Sequence, residues 1–269
     1  MSATVVTALY NIDREKFDGR RMDQYFDWFK RTLTLNCSMV IYCDEELSDF
    51  IKENRPKELK TKVINQKLEE IPYYYLKPKI DAILEDADYK SRIQDSSRIE
   101  CKTSLYSIIQ YSKFPWVEFA ADNNFFESDY FIWMDAGLSR LIPDMDYTKE
   151  YPGKNFISQI KSFPGKALFQ AYVLPYQDLF NATSLTTDYF YDNRSYVMGG
   201  MFGVDKIAIK NIRKKVEDVL VKEMIEQNKF NNEQIAIGYL LKKYKDDFLV
   251  LRNNNQLHRN FELIYQTFS

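Results

Sequence analysis

The 269-residue chain predicts an α/β fold, with a mainly parallel central sheet, flanking helices and a mixed second half. Three observations lead there. In the first half, compact runs rich in β-branched residues alternate with stretches of helical period, the signature of strands joined by covering helices. The run Tyr130-Phe131-Ile132-Trp133-Met134 is apolar throughout, as a strand buried on both faces must be. Only 8 Gly and 8 Pro are present, too few for repeats or long linkers, so a single domain over 1–269 is expected.

Residues 4–10 (Thr-Val-Val-Thr-Ala-Leu-Tyr) read as the first strand. Residues 22–35 carry Tyr25, Phe26, Phe29 and Leu33 at helical spacing. Residues 38–43 make the second strand. Asp44-Glu45-Glu46 supply the acids that favour a first helical turn, and residues 62–65 make a short third strand. Residues 72–88, with Tyr73, Tyr74 and Tyr75, read as a helix-rich insertion over the sheet. Residues 86–98 and 176–194 are long polar stretches, expected to be loops and candidate lids. Helix is expected over 99–111 and again over 116–123, leading into the apolar run and its polar end, 128–140.

Beyond it, residues 156–160 and 167–173 read as strands. Residues 196–204 read as a strand broken by Gly199, Gly200 and Gly203; such glycines mark a bulge or a close approach by a ligand or another backbone. Residues 207–227 form a long amphipathic helix. Asn231 and Asn232 cap a further helix running to about residue 244, and residues 248–251 are a late strand.

The net charge of -2 does not favour a nucleic-acid binder, and local basic pairs such as Arg20-Arg21 leave open only a weak peripheral contact with anionic lipid. The three cysteines, Cys37, Cys43 and Cys101, are odd in number and without metal-knuckle spacing, which fits reduced thiols in a cytoplasmic compartment. No secretory signal or bilayer-length apolar run is read.

Four features carry candidate chemistry: Asp135 with Ala136 and Gly137, the glycines 199–203, the helix start Asn232-Glu233-Gln234, and the sole histidine, His258. Each has a bland counterpart: a turn-forming acid, a bulge, an acid stabilising a helix N-terminus and a solvated imidazole. A carboxylate at the end of a buried strand is also where an α/β fold places a metal or phosphate site. Asp135 and His258 together suit Mn²⁺ or Mg²⁺.

In this order the features resemble a GT-A-type glycosyltransferase. More closely, Tyr130-Phe131-Ile132-Trp133-Met134-Asp135-Ala136-Gly137 with the run 4–10 resembles the bacterial HtrL/YibB family, linked to glycosyltransferases of cell-surface polysaccharide synthesis. The resemblance implies a nucleotide-binding half over 1–140 and an acceptor half over 141–269. It implies a hexosyltransferase-like enzyme moving a sugar from a nucleotide-sugar donor of UDP type to a cell-surface glycan or lipid-linked acceptor, in the cytoplasm or at the inner face of the membrane.

Thr7, Ala8, Tyr10, Lys102, Asp135 and Arg140 would then bind donor, and Gly199, Gly200 and Gln234 would bind acceptor. Asp135 and Glu233 would be the catalytic pair, Glu233 as base if the reaction inverts and as acceptor holder if it retains. The chain departs from a full DxD motif: Trp133 precedes Asp135 and Gly137 follows, so one acid stands where two are usual. Arg140 and Lys102 are the alternative cations for the diphosphate. A nucleotidyltransferase or phosphate-ester enzyme on a similar sheet, and a non-catalytic glycan-binding protein, are the competing readings.

Overall fold

The computed structural model describes residues 2–252 together with Thr267 and Phe268. Its strands are β1 (Ala3–Leu9), β2 (Ser38–Cys43), β3 (Thr61–Asn65), β4 (Tyr130–Met134), β5 (Ala167–Ala171), β6 (Met201–Asp205) and β7 (Phe248–Arg252). They form one seven-stranded sheet in the order β3-β2-β1-β4-β6-β5-β7. Strands β1 to β4 pair in parallel, as do β5 and β7, while β6 runs against both its neighbours. The fold is thus mixed α/β with a mostly parallel sheet.

The helices are α1 (Glu15–Asp18), α2 (Met22–Leu33), α3 (Ser48–Asn54), α4 (Lys77–Glu85), α5 (Ala87–Arg92), α6 (Ser104–Asn123), α7 (Lys154–Lys161), α8 (Val173–Asn181), α9 (Lys206–Asp218) and α10 (Glu233–Lys243). None is long and apolar enough to cross a membrane among the described residues.

The strand period of two decides which side chain meets which layer. Val6, Tyr10, Val40, Tyr42, Phe131 and Trp133 face a core shared with α4, α6, α9 and α10. Val5, Leu9, Met39, Ile41, Ile132 and Met134 face the other core, with Phe29 and Leu33 of α2, Ile51 of α3, and Phe156 and Ile160 of α7. Both faces are covered, which is why these strands are apolar throughout.

The structure departs from the sequence reading in five places. Residues 156–160 belong to helix α7, because Phe156 and Ile160, four apart, both pack on the sheet as one helical face. The strand expected over 196–204 begins only at Met201; Val197 makes an isolated bridge to Ala171, and Gly199-Gly200 lies between. The expected break between two helices at 111–116 is absent: α6 is continuous through Pro115. Residues 86–98 begin with helix α5, its start fixed by the Asp86 carboxylate accepting from Tyr89 N at 2.8 Å and by burial of Tyr89. Residues 176–194 hold most of α8 and a buried turn, Tyr189–Tyr191, which Asn231 ties down by donating to the Phe190 carbonyl at 3.0 Å. Buried aromatics anchor both stretches expected to be lids.

Candidate functional site

The strand order turns back between β1 and β4: the chain winds outward from β1 through β2 to β3, then returns to place β4 on the other side of β1. A crevice opens outside the carboxyl ends of parallel strands at such a point, because the following loops diverge in opposite directions. Here it is a cavity of ≈ 250 Å³ lined by Ala8, Leu9 and Tyr10 at the end of β1, by Trp133, Asp135, Ala136, Gly137 and Arg140 at and beyond the end of β4, and by Tyr106, Ile109 and Gln110 of α6. Asp13, Arg14, Glu15 and Arg20 add charged side chains of both signs to its lining.

Asp135 is the first residue beyond β4. Its N–H continues the ladder by donating to the Gly200 carbonyl at 2.9 Å. It lies two residues after Trp133, hence on the same face of the strand, and the Trp133 indole N–H donates to Asp135 Oδ1 at 2.7 Å. On that face the sheet meets α6, from which Lys113 reaches up. The Lys113 Nζ lies 3.2 Å from Asp135 Oδ1 and 3.0 Å from Glu233 Oε1, and donates to the Gly199 carbonyl at 2.9 Å. Lys113 is 1% exposed and Glu233 3%, whereas the Asp135 side chain keeps 32%. Asp135 is the member of the cluster that faces the crevice.

Glu233 is placed by the start of α10. The Asn232 side chain accepts from Gln234 N and Ile235 N, which sets the helix N-terminus and puts Glu233 in its first turn, where the helix dipole favours an acid. Asn232 itself donates to buried Glu100 at 2.6 Å, and Tyr111 of α6 donates to the Asn231 and Asn232 carbonyls. Gly199 completes the fit. A Cβ there would fall 2.2 Å from Glu233 Oε1 and 3.0 Å from Gln234, so only glycine lets that carboxylate come in.

Burial pulls the Lys113 ammonium down, but Asp135 and then Glu233 outweigh it and hold it above its ordinary value. Burial lifts the Glu233 carboxyl above the ordinary carboxylate range, aided by Asp135 and opposed by Lys113. The cluster carries one cation against two acids, so the cation keeps its proton.

Three arginines share the crevice. Arg14 pairs with Asp18, donates to the Tyr25 hydroxyl at 2.6 Å and lies over the Tyr106 ring at 4.7 Å. Arg140 donates to the Gly137 carbonyl at 2.6 Å and lies over the Trp28 ring at 5.3 Å. Its guanidinium is held below its ordinary value by desolvation and by repulsion from Arg20, so two cations face the same space.

Of the residues singled out in the sequence, Ala8, Tyr10, Asp135 and Arg140 line this one crevice. One face of the Tyr10 ring is taken by Trp116, stacked at 5.7 Å. Thr7 is fully buried behind the wall, its hydroxyl without a partner among the described residues. Lys102 points elsewhere, its ammonium donating to the Phe17 carbonyl at 3.1 Å. Glu233 does not line the crevice and is held by Lys113, which argues against a base reaching an open acceptor site. Gly199 makes room for Glu233 and Gln234, and Gly200 for Leu138 and Asp135. The Gln234 side-chain oxygen is buried and without a partner among the described residues. His258 lies outside the described residues.

Lys113, Gln110 and Arg14 went unread in the sequence. The available signal was spacing: Tyr106, Gln110 and Lys113 fall on one face of α6.

Mn²⁺ and Mg²⁺ take several oxygen ligands. Asp135 Oδ1 is already engaged by an ammonium and an indole N–H, and Glu233 Oε1 by the same ammonium. No group of three or more His, Cys, Asp or Glu among the described residues is placed to hold a metal ion. Among the described residues none of these sets fits a divalent cation; His258, the other ligand expected beside Asp135, lies outside them.

A family described as "Bacterial protein of unknown function (HtrL_YibB)" matches residues 1–262. No curated protein matches the sequence. Among solved structures, mouse xyloside xylosyltransferase 1 in its apo form is similar at 11% identity, over 93% of this chain and 85% of that one, with a TM-score of 0.46. The apo form of the glycosyltransferase GlyE from Streptococcus pneumoniae TIGR4 is similar at 14% identity, over 93% of this chain and 45% of that one, with a TM-score of 0.42.

Proposed function

The chain belongs to the HtrL_YibB family, and we propose that it is a glycosyltransferase, moving a sugar from a nucleotide-sugar donor of UDP type to a glycan or lipid-linked acceptor. The observation that carries this reading is the pairing, in one crevice at the turn-back of the sheet, of a fixed carboxylate with three arginines.

Transfer of a sugar from a nucleoside diphosphate breaks the bond between the anomeric carbon and the diphosphate oxygen and forms one to an acceptor hydroxyl oxygen, whose proton passes to the departing diphosphate. Negative charge grows on the departing diphosphate and positive charge on the sugar ring. Preorganised cations at the first and an anion at the second lower the barrier, because neither has to reorient as charge develops. Arg14, Arg20 and Arg140 supply the cations. Asp135, with Oδ1 locked by Lys113 and Trp133, presents Oδ2 to the sugar. Gln110, also in the wall, adds an amide to orient sugar hydroxyls. Glu233 serves this arrangement from behind, by anchoring Lys113.

The test is incubation with a panel of nucleotide sugars, with and without candidate glycan acceptors, reading free nucleotide. Release from a UDP-sugar that Asp135→Asn abolishes supports the reading. Binding without release, acceptors included, replaces it with the glycan-binding one. Cleavage of other phosphate esters replaces it with the nucleotidyltransferase or phosphate-ester one. No binding of any nucleotide sugar ends it.

A further inference from the structure

We propose that the Lys113 ammonium takes the place of a divalent cation between Asp135 and Glu233, so that this site acts without a bound metal. The inference deepens the glycosyltransferase reading and rests on it for what the site acts upon; the location of the cation rests on geometry.

Three oxygens surround Nζ: Asp135 Oδ1 at 3.2 Å, Glu233 Oε1 at 3.0 Å and the Gly199 carbonyl at 2.9 Å. Two carboxylates and a carbonyl converging from three separate segments are the start of a hard-cation site. Here they are matched by the three N–H donors of one ammonium. The place is built for it. Lys113 is buried, the Trp133 ring lies 5.9 Å from Nζ, and Gly199 is bare where a Cβ would strike Glu233. A Mn²⁺ ion brought to Asp135 through its open Oδ2 would stand beside the ammonium held at Oδ1 of the same carboxylate, and the two like charges would repel.

Lys113 does not line the crevice. It is therefore a positioning residue, acting through Asp135 rather than on the donor. The arginines remain as the cations that meet the diphosphate.

The experiment titrates Mn²⁺ alone into the full chain after EDTA treatment, following the free-ion resonance and the heat of binding. The wild type and Asp135→Asn are expected to take up the same background Mn²⁺. Nucleotide release from the donor is expected to be unchanged by EDTA. Lys113→Ala, which vacates the place, is expected to gain a Mn²⁺ site at least about ten-fold tighter than any in the wild type. Lys113→Arg, which refills the place with a cation, is expected not to gain one.

A wild-type Mn²⁺ site that Asp135→Asn removes overturns the proposal, as does donor cleavage lost in EDTA and restored by Mn²⁺. If Lys113→Ala does not fold, the wild-type titration still decides. A protein with no Asp135-dependent Mn²⁺ site that also releases no nucleotide from any donor keeps this proposal and overturns the glycosyltransferase reading, so the two failures are distinct.

Discussion

Lys113 and Glu233 stand 120 positions apart in the chain and 3.0 Å apart in the fold. Desolvating both charges costs several kcal/mol per ion, offset here by the mutual attraction, by Asp135 and by the Gly199 carbonyl. Removing one partner leaves the other buried and unpaired. Lys113→Met, similar in volume but neutral, is expected to lower stability by about 3–5 kcal/mol. Chemical denaturation monitored by circular dichroism measures it, and a loss within about 0.5 kcal/mol would show that the pair is not held as described.

Adjacent glycines are expected to respond unequally to alanine. At Gly199 the new Cβ meets the Glu233 carboxylate at 2.2 Å, so Glu233 must leave Lys113. At Gly200 it meets Leu138 Cδ1 at 3.0 Å and Asp135 Oδ2 at 3.4 Å, where the end of a leucine side chain can give. Gly199→Ala should cost about 1–3 kcal/mol and most of the donor turnover; Gly200→Ala should cost less of each. Equal losses in parallel denaturation and turnover assays would contradict the geometry.

Arg140→Ala should weaken binding of a UDP probe by about 10- to 100-fold, the scale of a lost charged hydrogen bond. Lys102→Ala should leave that affinity unchanged, since its ammonium is occupied at Phe17 away from the wall. Calorimetric titration with UDP separates the two, and the opposite ranking would move the diphosphate site away from β4.

The Glu233 carboxyl, raised by burial, has a definite sign in the pH dependence of stability. A folded-state value above the ordinary 4.5 gives stability that is present below 4.5 and lost as pH rises through the folded value. Glu233→Gln removes this titration. Whatever the offset between the two proteins, the melting temperature of the variant minus that of the wild type should increase from acid toward neutral pH. Lys113, raised above 10.5, contributes stability that is full below 10.5 and lost as pH rises through its higher folded value. The Lys113→Met protein should lack that alkaline component. Thermal melts across pH give both slopes, and a flat difference in either series removes the assigned shift.

The first half of the fold was readable because parallel strands covered on both faces write apolar runs that little else produces; the second strand was placed at 38–43, where β2 lies. Residues 156–160 were misread because Phe156, Ile157 and Ile160 satisfy a short strand and a helical stripe equally well, and only packing over Gly203 of the sheet chooses. The gap expected at 111–116 is closed although it holds Pro115: proline forfeits a helical hydrogen bond, a local cost that the buried neighbours Phe114, Trp116 and Val117 override. Asp135 announced itself by ending an apolar run. Lys113 did not, since a lysine on a helix is ordinarily solvated and its partners lie on other elements. Gly199 hinted at a close approach but not at what approaches. That neighbour, Glu233, is brought in by the start of α10, a contact no local pattern records.

Of the chain's three tryptophans, Trp133 lines the crevice and the other two pack against residues of its wall. Trp28 lies against Arg140, Trp133 is bonded to Asp135, and Trp116 stacks on Trp133 at 6.0 Å. Indole emission is sensitive to nearby charge and to hydrogen bonding at the ring nitrogen. The molecule therefore carries its own optical reporter: a ligand that shifts charge at Asp135 or draws Arg140 off Trp28 changes the fluorescence of the protein, with no label and no knowledge of the acceptor.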